Sequence, residues 1–119
     1  MAESVLVLIT KPPYGFEEAF AGMRLSLAMV ASGLIPDSAV LLMGDGTLNA
    51  VASQDASVLG MPSNLEALED LGDLDVDVYC IKDDYYSRAG ELPTPEFVRM
   101  VDWEAGRRLI DEYEIVTTF

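Results

Sequence analysis

Cys80 is the only cysteine in a chain of 119 residues that contains no histidine. It is therefore the only soft nucleophile available, and any covalent chemistry open to it is sulfur transfer or thiol exchange, which proceeds through the thiolate. Without histidine there is neither a Ser-His-Asp nor a Cys-His arrangement, and a zinc site would lack its usual ligands. Val76, Val78 and Cys80 alternate with Asp77 and Tyr79, the period of a strand whose end carries Cys80 to the rim of a sheet. A cysteine placed there is expected to reach solvent more readily than one in mid-strand. A helix N-terminus following it, with Lys82 and Arg88, would stabilise a thiolate, and Asp83 and Asp84 would oppose it. The competing reading is a small buried hydrophobe, a common fate of free cysteine.

In an open α/β sheet, reactive groups gather beyond the carboxyl ends of the strands. Three stretches are expected there: Thr10 to Gly15, Gly44 to Thr47, and Cys80 to Arg88. Tyr14 and Gly15 form a turn after two prolines that could line the mouth of a site, and Gly44-Asp45-Gly46 reads as a tight strand-to-helix turn. Neither is a phosphate loop, since no G-x-G-x-x-G or G-x-x-x-x-G-K-[ST] occurs. Tyr85 and Tyr86 suit either stacking on a partner or a hydrophobic lid. Asp73, Asp75, Asp77, Asp83 and Asp84 lack the glycine and terminal glutamate of a calcium loop and read as a solvated acidic edge. No metal site is expected.

Seven Lys plus Arg against 21 Asp plus Glu give a formal net charge of -14. Such a surface repels phosphate backbones and anionic membranes, so direct contact with nucleic acid or lipid is not expected. Apolar residue types make up 50% of the chain, a globular proportion, and the length suits a single domain over 1–119. One cysteine allows no internal disulfide, and the N-terminus shows no basic segment followed by a long apolar run, so a cytoplasmic address is expected.

The elements that must position these residues follow from periodicity. Val5 to Ile9 is a continuous aliphatic run, as in a strand buried on both faces of a parallel sheet. A helix is expected from Phe16 to about Ser32, with Phe20, Met23, Leu27 and Val30 at helical spacing and Gly33 beyond its end. Ala39 to Met43 reads as a second strand, followed by a short helix capped by Thr47 and running to about Ser53, and then a loop from Gln54 to Asn64. Asn64 is expected to cap a helix stopped by Gly72. The strand Val76 to Cys80, the polar run Lys82 to Gly90, a short strand Phe97 to Val101, a helix Trp103 to Glu112 capped by Asp102, and a β-rich tail Ile115 to Phe119 complete the order. Alternating strands and helices joined by short turns predict a three-layer α/β/α domain with a doubly wound, mainly parallel five-stranded sheet.

In this order the chain resembles the sulfur-relay family of DsrE, DsrF and DsrH and their Tus counterparts in tRNA thiolation. The resemblance rests on the aliphatic first strand leading to Lys11-Pro12-Pro13-Tyr14-Gly15, on the helix carrying Arg24-Leu25-Ser26-Leu27-Ala28, on Leu41-Leu42-Met43-Gly44-Asp45-Gly46, and on a cysteine ending the third strand with Arg88 and Gly90 downstream. It implies a subunit of a trimer or hexamer in which Cys80 accepts sulfane sulfur as a persulfide and passes it on, without metal or organic cofactor, between a donor and an acceptor protein. Ile81 to Ser87 departs from the small residues usual in the family by being charged and tyrosine-rich. Two other classes are compatible with the residues: a non-catalytic interaction subunit of such a complex, and, more weakly, a small-ligand or nucleotide-binding domain using the turns at Tyr14 and Asp45.

Overall fold

The computed structural model describes residues 3–14, 17–54 and 63–119. Five strands form one sheet: β1 Ser4–Ile9, β2 Asp37–Leu42, β3 Asp77–Ile81, β4 Val98–Val101 and β5 Ile115–Thr118. Their order is β4-β3-β2-β1-β5, and every pairing is parallel. The sheet is thus wholly rather than mainly parallel. From β1 the chain steps outward through β2 and β3 to β4, then returns across the sheet to place β5 on the free side of β1.

Parallel strands joined by helices need cover on both faces, and the aliphatic runs provide for it. Val5, Val7 and Ile9 of β1, with Val40, Leu42, Val78 and Cys80, face helices α1 (Glu18–Ala31) and α2 (Asn64–Asp73) and contribute to one core. Leu6, Leu8, Ala39, Leu41 and Ile81 point the other way, against Leu109, Ile110 and Tyr113 on and just beyond α4 (Trp103–Glu112). The layers are α/β/α, with α3 (Lys82–Ala89) following β3. No helix of the described residues is long and apolar enough to cross a membrane.

Several local expectations hold at the level of single residues. Asp102 caps α4 by accepting the amide of Ala105 at 2.8 Å, and Gly33 follows α1 with a φ of 73°, the left-handed conformation that glycine adopts freely. Others are corrected. The segment after β2 is a 3₁₀ helix, Gly44–Ala50, that starts three residues before Thr47; the Thr47 hydroxyl donates back to the Gly44 carbonyl instead of capping a helix to Ser53. The cap of α2 is Ser63, whose Oγ accepts the Glu66 amide at 3.1 Å, while Asn64 is buried inside the helix's first turn. That helix runs through Gly72 to Asp73. Gly72 lies against the Phe97 ring, where a Cβ would come within 3.1 Å, and it is Asp75, at φ 59°, that turns the chain away. The described part of α1 begins at Glu18, and most of the expected Gln54 to Asn64 loop, residues 55–62, lies outside the described residues.

Candidate functional site

Three segments leave the carboxyl ends of β1, β2 and β3 and meet on one rim. The closest approach is between the first two. Met43 donates its amide to the Ile9 carbonyl, and Gly46 sits so near that carbonyl that no side chain would fit between them. Asn49, fully buried, ties the same region together: its Nδ2 donates to the carbonyls of Lys11 at 3.0 Å and Gly46 at 2.9 Å, and its Oδ1 accepts from Asn64 Nδ2 at 2.8 Å. Sequence reading passed over Asn49. The available signal was a lone amide within the apolar run Leu48 to Val51, since a buried polar group must find partners. Tyr14 belongs to this network as well. Its hydroxyl donates to Gln54 Oε1 at 2.5 Å and accepts the Asn64 amide, while its backbone takes a φ of 65°. Gly15 lies outside the described residues.

The second and third segments meet through side chains. Asp84 accepts the Gly44 amide at 2.7 Å, an acidic side chain satisfying the first free N–H of the 3₁₀ helix. Arg88 Nε donates to Asp45 Oδ1 at 2.7 Å, and its NH1 reaches the Asp84 carbonyl at 3.3 Å. Gly44, Asp45, Gly46 and Arg88 are therefore brought together as expected, with Asp84 as the hinge of the arrangement. Lys82 is exposed at the start of α3.

Cys80 occupies the penultimate position of β3 and is covered, with 0% of its surface exposed. The expected approach to solvent is not seen. Strand position alone delivers a side chain to the rim, and whether it is wet depends on what the next element does. Here α3 turns back and lays Tyr85, 1% exposed, into the core that contains Cys80. Tyr85 and Tyr86 thus divide the roles foreseen for them, one an inner cover and the other 52% exposed. Burial pushes the Cys80 thiol up to about 12, and the Asp84 carboxylate pushes it in the same direction. Arg88, expected to favour a thiolate, is engaged by Asp45 and Asp84 instead. With its proton held so firmly, the covered thiol is a poor nucleophile near neutral pH.

Beside α3 opens a groove of about 560 Å³ lined by Tyr85, Tyr86, Leu92, Pro93 and Met100 among others. Met100, one of its lining residues, is the partner of Cys80 in the β3–β4 register and packs against the core that contains the thiol. Tyr85, also in that lining, donates its hydroxyl to the Leu92 carbonyl at 2.6 Å. Among the described residues no cluster of His, Cys, Asp or Glu is arranged to hold a metal ion.

The profile of the DsrE/DsrF-like family matches residues 3–82, which include β1 to β3 and Cys80. No curated protein matches the chain at a significant level. Among solved structures, the YchN protein from E. coli superposes with a TM-score of 0.87 at 24% sequence identity, the alignment covering 100% of each chain. That likeness establishes the three-layer fold.

Proposed function

The chain belongs to the DsrE/DsrF-like family, and we propose that it carries sulfane sulfur as a persulfide on Cys80, sheltered in the closed subunit and exposed for transfer. Family membership supports a role related to sulfur relay. The observation that carries the finer reading is the position of Cys80, the only thiol, near the carboxyl end of an interior strand, just before a short helix and paired with a residue that lines an open groove. In the transfer step the Cys80 thiolate attacks the outer sulfur of a donor persulfide. A Cys80–sulfur bond forms, the donor's sulfur–sulfur bond breaks, and the donor thiolate leaves. An acceptor thiolate then repeats the attack on the outer sulfur and regenerates the Cys80 thiolate. No net oxidation occurs, and no residue other than a thiol is required. The charge of -14 favours donor and acceptor proteins that present basic docking faces.

Incubation with a low-molecular-weight persulfide followed by intact-mass measurement tests this. The wild type should gain one sulfur that Cys80→Ala does not, and an unmodified wild type under non-reducing conditions would sink the carrier. The raised thiol pKa favours a second reading, an interaction subunit of a relay complex in which Cys80 is only a core residue. Cys80 would then stay inert to thiol reagents until the protein unfolds.

A further inference from the structure

We propose that α3 is a lid over Cys80, held shut by tethers to the 3₁₀ helix and to the segment before β4, pivoting at its start after Ile81 and released at its far end by the joint at Gly90. Helix α3 is eight residues long, a length that does not sustain a helix on its own in water. Only one of its side chains, Tyr85, is buried. Such an element stays in place through a few identifiable contacts. Two join it to the 3₁₀ helix: the Gly44 amide to Asp84 Oδ2 at 2.7 Å and Arg88 Nε to Asp45 Oδ1 at 2.7 Å. The third is the Tyr85 hydroxyl on the Leu92 carbonyl at 2.6 Å.

The two ends of α3 differ in a way that suits a hinge. Ile81, just before it, is fully buried on the opposite face of the sheet and anchors the helix start. Gly90, just after it, has φ 62° and ψ -134°, a region essentially restricted to glycine, with open space where a side chain would stand. Swinging of α3 about its anchored start, with Gly90 giving at its far end and the Tyr85 hydroxyl released, would lift the cover from Cys80 on the side of the groove that Tyr85 and Met100 line. Opening would also move Asp84 away from the thiol, so the same motion would expose the sulfur and remove the anion that opposes its ionisation.

The lid takes its purpose from the reading of Cys80 as the sulfur-bearing residue, but its test needs no sulfur donor. The rate at which iodoacetamide alkylates native Cys80 is measured alongside hydrogen exchange of the Gly44 amide, whose hydrogen-bond acceptor is the Asp84 side chain. Tyr85→Phe keeps the ring and loses one hydrogen bond; Asp45→Ala frees Arg88. Both rates should rise together, by about fivefold for Tyr85→Phe and about twofold for the more exposed ion pair, and in wild type and variants alike they should be faster than global unfolding, measured in urea, allows. Alkylation that tracks global unfolding, or that is unchanged while the Gly44 amide becomes exposed, would overturn the lid. A persulfide that forms equally fast in wild type and tether variants would also remove the lid and leave the carrier standing. A lid that opens over a cysteine that takes up no sulfur would remove the carrier alone.

Discussion

Gly46 lies with its Cα against the carbonyl oxygen of Ile9, so that a Cβ at this position would fall on the backbone of β1. The contact sets the 3₁₀ helix on the end of β1, and backbone cannot rotate away as a side chain can. Gly46→Ala is expected to lower stability by about 2–4 kcal/mol, at or above the usual range for overpacking, measured by urea denaturation. A variant within 1 kcal/mol of wild type would show that the two strand ends separate easily.

Gly106 in α4 is the instructive contrast. A Cβ there would press on Ile81 Cδ1, the end of a side chain that can move. Alanine in a helix interior gains up to about 1 kcal/mol over glycine, which offsets the displacement. Gly106→Ala should therefore remain within about 1 kcal/mol of wild type by the same assay.

Alkaline pH should destabilise the fold, and Cys80 should account for the first part of the loss. Its folded thiol is raised to about 12 while an unfolded thiol titrates near 8.5–9. Below both values the two states hold the same proton and nothing changes. Between them the unfolded chain gives up its proton while the folded one keeps it, so stability falls as pH rises from about 9 toward 12. Tyr79 and Tyr113, also raised by burial and by neighbouring carboxylates, add loss in the same direction above about pH 10. Urea midpoints across this range should drop less steeply in Cys80→Ala, and an unchanged slope would mean that the thiol is already wet.

Added salt should stabilise the protein. Three ion pairs occur among the described residues, Arg88 with Asp45 and Asp84 and Arg99 with Asp77, and all involve partly exposed side chains. Screening them forfeits little, whereas screening the self-repulsion of a charge of -14 gains. The thermal midpoint is expected to rise between 10 mM and 1 M sodium chloride, and a fall would indicate that the pairs outweigh the repulsion.

The two residues at the start of α2 separate a surface cap from a buried bond. Ser63→Ala loses the hydrogen bond to the Glu66 amide at an exposed helix end and should reduce stability by about 1 kcal/mol. Asn64→Ala strands the buried Oδ1 of Asn49 and should reduce it by about 2–3 kcal/mol. Equal effects would mean that water replaces Asn64.

The same pair shows what the sequence made legible. Asn64 is a good capping residue by type, but Ser63 with Glu66 three positions later is the stronger start signal, and the structure uses its serine. Gly72 looked like a stop because glycine commonly follows helices; its actual role, making room for Phe97, comes from a segment 25 positions away and is invisible locally. The strands β1 and β2, the Asp102 cap and the three-layer architecture were readable because each depends on local period or on one side chain. The cover over Cys80 was not. It arises from Asp84, Tyr85 and Arg88 reaching Gly44, Leu92 and Asp45, and neither composition nor spacing encodes those meetings. Asp84 in particular could be read only as a charge opposing a thiolate, whereas its carboxylate also fastens α3 to the turn after β2.

The position of β5 bears on how the chain is made. Strand β1 is paired on one side by β2 within some thirty residues, but on the other by Ile115–Thr118, with Thr10 and Phe119 bonded across 109 positions. During synthesis the outer edge of β1 must therefore wait, its amides and carbonyls unsatisfied, until nearly the whole of this sequence has emerged. An unpaired hydrophobic strand edge is a template for pairing with other chains. Ribosome-bound or C-terminally clipped forms are thus the ones most exposed to aggregation, and the four residues of β5 serve as the closing seam of the nascent sheet.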